Sequence, residues 1–533
     1  MKERPGFLSD LPTGDFITRN SSDGFIRIVD TPPPVEQIIE TPLVDPSIRN
    51  MHVNITGKIG MGKSTLICWW ALQDIIEKRG GVCVIDPKGD LVDELLRWIP
   101  EDRADDCIVA DIKDPLPLDF ISCEPDNEDD VVADLKYMLM GEMADNPSYP
   151  MVNKNIENLL YSLINANTHA YLNTEEGEKY RCTFLDVSEF WENEVRRTFI
   201  RKHLSDPKLI DVWNKKLPNE TDREKITSRI SPFVRNKALS KIFGDPKPRL
   251  DIREVIREKK ILLVRVPVHK SASAIYGKLL MAKIQHAMFS VEDESKRVPF
   301  FLYVDEFQNF PTSEKFEEVI DMGRGFMLCF TLSVTRIMHH LITPSMRSAI
   351  RGLGSYALLQ LNPEDVSFYE SQFDGDDQGK SLRDRRDKAH LDWQIAPEGD
   401  ARDRLFHRYK MLDQMAIGVA GPPLTVQNAL RLPKYRAMFK IGEDPPFIAQ
   451  TPTPGPKVST QQQIEKVKRI KDQSKLHYGP RAVPFAESVQ NRSGDNASCN
   501  SPTAPHTEVN GNTDSITRTG SPTPPHLRKD KNS

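Results

Sequence analysis

Between residues 46 and 123 the chain alternates two kinds of stretch. Short runs that are apolar at almost every position, "HVNITG" and "GVCVID", are separated by longer ones whose apolar residues recur at helical spacing, Lys63 to about Arg79 and "LVDELLRWI". A strand without a polar face is buried on both faces, so the pattern predicts a mostly parallel sheet covered by helices on either side. Strand-like runs stop after "LPLDFISC", and residues 124–249 read as helices, among them "VVADLKYMLM", "NIENLLYSLINA" and "FLDVSEFWENEVRRTFIRKHL". They resume at "KKILLVRVPV" and "VPFFLYVDEF", and again at "FMLCFTLSV" and "SYALLQL". The expectation is an α/β domain over 46–123 and 250–444, interrupted by an inserted all-α subdomain at 124–249.

The two ends read differently. Residues 1–45 are Pro-, Asp- and Thr-rich around one strand-like piece, "GFIRIVD", and predict a lead-in segment. From about residue 445 Pro, Ser, Thr, Asn and Gly take over, with one basic helix-capable piece, "QQQIEKVKRIKDQSK". The rest of 445–533 has too little apolar surface to offset its chain entropy and predicts a disordered tail.

Charge changes this picture only locally. With 72 Lys and Arg against 77 Asp and Glu in 533 residues, global attraction to a polyanion is excluded. From Val195 to Arg249, however, fifteen cations face six acids. That bias fits a solvated helical surface as well as a DNA-facing patch, for which Arg196, Arg197, Arg201 and Lys202 are the candidate phosphate contacts. The seven cysteines are scattered singly, without metal-ligand spacing, which points to core filling in a reducing compartment. No run approaches the roughly 18 apolar residues of a membrane helix, and the N-terminus lacks a signal-peptide core, so a cytoplasmic protein without a span is expected.

The most specific chemistry lies in "NITGKIGMGKSTL". Gly57, Lys58, Ile59, Gly60, Met61, Gly62, Lys63 and Ser64, followed by Thr65, fit a GxxxxGK[ST] phosphate loop between a strand and a helix. Glycines let backbone N–H groups converge on phosphates, the helix N-terminus adds positive potential, and Lys63 brings a mobile charge to the β- and γ-phosphates. Ser64 can give its hydroxyl to Mg2+. A second apolar strand, "VPFFLYVDEF", ends in Asp305 and Glu306. On the same sheet, the first carboxylate can hold Mg2+ through water and the second can accept a proton from an attacking water. Asp86 and Asp90, in "VIDPKGDLVDELL", fit a local turn or a ligand position equally well.

Several segments taken together resemble one family. "RNMHVNITGKIGMGKSTL", "VIDPKGDLVDELL", "LPLDFISC", "KKILLVRVPV", "PFFLYVDEFQNF" and "LNPEDVSFYESQF" follow the order and spacing of the conjugative coupling and DNA-transport ATPases. These are the TraD/TraG-like, type IV secretion DNA-binding ATPases of the FtsK/HerA superfamily. The resemblance runs from about Leu43 to Leu432. It implies a RecA-like P-loop NTPase core, ATP and Mg2+ as cofactors, a hexameric ring, and DNA moved through the central pore. It implies further that Lys63 and Ser64 are the phosphate-loop pair, Asp305 the magnesium carboxylate, Glu306 the catalytic base, and Arg324 an arginine reaching a neighbouring subunit's nucleotide. The sequence departs from the family where a glutamine usually follows the next strand, since that position falls on Thr335, with Arg336 next. Threonine has less reach and fewer donors, so weakened or partner-dependent turnover is expected. A second departure is the membrane anchor of the best-known coupling proteins, which this chain lacks at its N-terminus; a membrane-associated transfer machine would be reached through another protein. The competing reading is a nucleotide-dependent DNA-binding or recruitment module with little turnover.

Overall fold

The computed structural model describes residues 52–121, 127–140, 150–215, 217–267, 271–310, 316–373, 378–396, parts of 402–413, and 424–480 apart from 444, 445, 456 and 457. The predicted lead-in segment and the tail beyond residue 480 lie outside these residues. The strands are β1 (Val53–Thr56), β2 (Gly81–Asp86), β3 (Cys107–Asp111), β4 (Ile261–Arg265), β5 (Phe300–Val304), β6 (Leu328–Val334), β7 (Ser355–Leu358), β8 (Arg436–Ile441) and β9 (Phe447–Gln450). They form one sheet in the order β3-β4-β2-β5-β6-β1-β7-β8-β9. Neighbours from β3 to β7 are parallel, and β8 and β9 close one side as an antiparallel pair.

The parallel strands are as apolar as their burial requires. Side chains alternate between faces at a period of two residues, so each strand supplies both cores. Val82, Val84, Ile261, Leu263, Phe301 and Tyr303 enter the core beneath α1 (Lys63–Ile76) and α2 (Asp90–Trp98). Cys83, Ile85, Leu262, Val264, Phe300 and Leu302 enter the opposite core. The five described cysteines are buried free thiols.

Between β3 and β4 the described chain contains helices and no strand: α3 (Glu128–Met140), α4 (Pro150–Asn167), α5 (Asp186–Glu192), α6 (Glu194–Lys202), α7 (Pro207–Asn214), α8 (Glu220–Arg235), α9 (Lys237–Phe243) and α10 (Ile252–Arg257). Their apolar faces belong to the same core as the second sheet face. After β4 come α11 (Ser271–Phe289), α12 (Phe316–Gly323), α13 (Pro344–Arg351), α14 (Val366–Phe373) and α15 (Gln378–Ile395), each leading into or out of the sheet, and finally α16 (Gln461–Tyr478).

Three boundaries differ from the sequence reading. The described part of "LPLDFISC", residues 116–121, is no strand: Pro115 and Pro117 remove backbone donors that a ladder needs, and the strand is the preceding "CIVAD". The sheet does not end at residue 444, because β9 lies beyond it. The basic piece placed with the tail is α16, a helix laid along edge strand β3. It buries chiefly Ile470 and Ser474, too little apolar surface to announce itself. Its hold is polar. The Ser474 hydroxyl accepts the Val109 N–H at 3.0 Å, and Lys466 donates to the carbonyls of Arg97 and Ile99 at the end of α2. Lys471 and Lys475 reach Asp93 and Asp114. An edge strand with free ladder groups is thereby covered by the chain itself.

Candidate nucleotide site

The loop between β1 and α1 is shaped by two glycines. A Cβ on Gly57 would stand 2.7 Å from Leu359 Cβ, so only glycine lets the end of β1 lie against the residue after β7. Gly62 caps α1 at φ +111°, and a Cβ there would meet the Tyr435 ring at 2.7 Å. From that turn α1 starts with Lys63, Ser64 and Thr65, whose N–H groups have no partner inside the helix. Below the loop Thr56, Asn54 and Tyr369 form a buried network. The Thr56 and Tyr369 hydroxyls both donate to Asn54 Oδ1, at 2.9 and 2.8 Å.

Lys63 is buried and folded back on its own loop, donating to the carbonyls of Gly57 at 2.9 Å and Lys58 at 3.4 Å. Burial lowers its pKa, against the pull of Glu306 and Asp305. Ser64 and Asp305, 241 positions apart, meet at 2.8 Å, Ser64 Oγ donating to Asp305 Oδ2. Burial and the charge of Glu306 push the Asp305 carboxyl up, opposed by the hydroxyls of Ser64 and Ser333. A hydroxyl beside a buried carboxylate is a donor set fit for Mg2+, which keeps most of its ligands as water and phosphate oxygens. Among the described residues no group of three or more His, Cys, Asp or Glu is placed to hold a metal alone.

Glu306 follows β5 at φ +49°, a left-handed turn that is costly for a non-glycine residue and that sets its carboxylate beside Asp305. Lys88 Nζ donates to Oε1 at 2.6 Å, while Thr335 Oγ1 and Gln308 Nε2 each donate to Oε2 at 2.5 Å. Burial alone would raise this carboxyl; the bonds from Lys88 and Thr335 and the charge of Lys63 bring it down to about 2. Among the described residues Gln308 Oε1 is buried without a partner.

Lys63, Ser64, Asp305 and Glu306 therefore share one cleft with the loop. Arg324 does not join them. It is exposed after α12, where β6 is about to begin, and so sits toward the N-terminal ends of the parallel strands, away from the phosphate loop at the C-terminal end of β1. Asp86 is a structural residue, buried and accepting the N–H groups of Lys88 and Val92 at the start of α2. Asp90 is exposed as the first residue of that helix. Lys88 and Gln308 went unnoticed in the sequence, where the signal available was a cation at the C-terminal end of a parallel strand and a glutamine two residues after Glu306.

Of the cations chosen in the insertion, Arg196 is corrected outright. It is 1% exposed, bonded to both oxygens of Asp186 at 2.7 and 3.0 Å and to the carbonyls of Tyr180 and Arg181. A guanidinium was mistaken for surface because helical sequence does not show which face it uses. Arg197 donates to the carbonyls of Phe190 and Trp191, and Arg201 to Asn214. Exposed cations of the segment include Lys202, Lys208 and, at the corner of α8 and α9, Arg235, Lys237 and Lys241; Lys215 and Lys225 are exposed too but pair with Asp211 and Asp222, and Arg249 donates to the Leu476 carbonyl. No acid occurs between Glu224 and Asp245.

Fold and site together define a RecA-like P-loop NTPase fold with an all-α insertion. No protein-family model matches the chain, and no curated protein sequence matches it. Among solved structures, the bacterial conjugative coupling protein TrwBdeltaN70 in an unbound form aligns at 13% identity with a TM-score of 0.45, covering 79% of this chain and 88% of its own. The plasmid coupling protein TrwB in complex with ADP and Mg2+ aligns at 12% identity and TM-score 0.45, covering 82% and 97%. VirB4 of Thermoanaerobacter pseudethanolicus aligns at 10% identity and TM-score 0.41, covering 78% and 91%. Among the described residues, no helix is long and apolar enough to cross a membrane.

Proposed function

We propose that this chain hydrolyses ATP in the cleft between β1 and β5 and uses the reaction to move DNA. The observation that carries the reading is the convergence of Lys63, Ser64, Asp305 and Glu306 on one loop. Lys63 leaves its loop carbonyls for the β- and γ-phosphates, and Ser64 and Asp305 hold Mg2+. That ion, when bound, offsets charge on the phosphates. Glu306 takes a proton from the water whose oxygen attacks the γ-phosphorus. The bond to the β-phosphate oxygen breaks, and ADP and inorganic phosphate are the products.

Arg324 cannot reach the site of its own chain, so its part in hydrolysis requires a second copy that presents it from outside, as in a ring. A hexamer is the form in keeping with the motif resemblance. DNA contact is assigned to the exposed corner of Arg235, Lys237 and Lys241, with Lys202.

Phosphate release with and without single-stranded DNA, together with native mass, tests the reading. The expected result is DNA-stimulated release from an oligomer, abolished in Lys63→Ala and lowered about a thousandfold in Glu306→Gln, which still binds ATP. Unchanged release in Lys63→Ala overturns the site. Nucleotide binding without release in the parent chain favours the recruitment module.

A further inference from the structure

Two lysines face the same cleft, Lys63 at the start of α1 and Lys88 in the turn after β2. β2 and β5 are sheet neighbours, with Ile85 opposite Val304, so the turn carrying Lys88 and the pair Asp305–Glu306 leave the sheet side by side. The backbone of that turn is fixed. Asp86 accepts from Lys88 N at 2.8 Å and Val92 N at 3.0 Å, and Gly89 takes φ +92°. The side chain is not: that of Lys88 is 52% exposed, whereas that of Glu306 is 8% exposed. An ammonium on four rotatable bonds changes partner easily when its backbone stays put.

Glu306, as held, has its Oε2 filled by Thr335 and Gln308, and its remaining acceptor position is on Oε1, the oxygen that carries the ammonium of Lys88. A base must hydrogen-bond the water it deprotonates, and an ammonium on the accepting oxygen lowers that oxygen's basicity, so Glu306 works best when the cation moves off. Gln308 is buried and Thr335 directly follows β6, whereas Lys88 has solvent beside it. A γ-phosphate brings about two negative charges into this cleft, a stronger acceptor than one carboxylate oxygen.

Resting on the nucleotide-site reading above, we infer that Lys88 is a γ-phosphate-binding residue: with a nucleoside triphosphate bound, its ammonium transfers from Glu306 Oε1 to a γ-phosphate oxygen and frees that carboxylate oxygen for the attacking water. With a diphosphate bound, it stays on Glu306. Lys88 thus separates the two nucleotides and acts on hydrolysis by positioning Glu306.

The test is isothermal titration with Mg-ATP and Mg-ADP in a Glu306→Gln background, where hydrolysis is suppressed and the carboxylate can no longer hold Lys88. Adding Lys88→Ala should weaken ATP by about ten- to a hundredfold, the worth of one charge-assisted bond. ADP should change by less than about twofold by the same reasoning, and Lys88→Arg should restore most of the ATP affinity. Lys88→Met, which keeps the stem without the charge, repeats the measurement if the alanine variant loses its circular dichroism signal. ATP affinity that is unchanged without Lys88, or that falls together with ADP affinity, overturns the inference and leaves the site standing. A Glu306→Gln chain that binds neither nucleotide overturns the site itself, and this assignment with it.

Discussion

The Arg196–Asp186 pair of the helical insertion and the Lys88–Glu306 pair of the sheet cleft close at 2.7 and 2.6 Å. In the insertion both partners are inside the protein, and Arg196 spends its remaining donors on two backbone carbonyls, so the pair has one arrangement. In the cleft one partner is half in solvent and the other is also held by an alcohol and an amide. Contact distance therefore says nothing about role. What separates a fastener from a movable charge is whether either partner has somewhere else to go.

Stability measurements separate the two pairs most strongly. Arg196→Ala leaves Asp186 buried without its cation and should cost about 3–5 kcal/mol. Lys88→Ala removes an exposed partner and should cost about 1 kcal/mol or less. Urea denaturation of both variants decides it: equal losses would erase the distinction.

Acid sharpens the comparison, because Glu306, held down at about 2 when folded, gives up its contribution only as pH falls below its unfolded value near 4.5, and a loss between pH 6.5 and 5 comes from elsewhere. His52 is the expected source. Burial is the main cause holding its pKa down at about 4, with Arg324 adding to it, while Ile320 and Asp321 oppose it. Its neutral ring donates from Nε2 to the Ile320 carbonyl and accepts the Phe330 N–H at Nδ1. The folded state favours neutral imidazole, so its contribution is complete above the unfolded value near 6.5 and is lost as pH falls toward 4, up to about 3 kcal/mol. His286, also lowered to about 4, adds a similar loss. His52→Gln should flatten the pH dependence between 6.5 and 5; an unaltered slope would show that the ring is not the titrating group.

The smallest expected change is at the surface. Arg235→Ala, Lys237→Ala and Lys241→Ala together should leave stability within about 0.5 kcal/mol and lower the slope of log affinity for DNA against log salt by about three. The same count from Arg197, Arg201 and Lys202 should lower it by about one, since only Lys202 is free of contacts that hold the insertion together. Equal slopes for the two sets would move the DNA contact away from the α8–α9 corner.

How much of this was legible in the sequence depended on whether the signal was local. Phosphate loop, acidic strand end and apolar strands announce themselves within a few residues, and the structure places them on one sheet. The partners of Glu306 do so only in part: Gln308 is two residues away, but Lys88 and Thr335 are brought to it from separate segments. Arg196 was misread for the opposite reason: its partner Asp186 is only ten positions away, but the turn that buries both is invisible to charge counting. The antiparallel pair β8–β9 and helix α16 carry weak patterns of their own and are held mainly by a sheet edge already in place.

The strand order also has a consequence for the sequence of events by which this molecule comes into being. β1, β2 and β3 are made first, and no two of them are neighbours: β1 lies between β6 and β7, β2 between β4 and β5, and β3 pairs with β4. A nascent chain therefore carries three apolar strands through the synthesis of the whole insertion before residue 261 supplies the first ladder partner. Until then α1, α2 and the insertion must shield those strands by contact alone. Sheet formation here is a late step that threads a new half between the strands of an old one, the kind of non-local assembly that folds slowly and is exposed to aggregation while it waits.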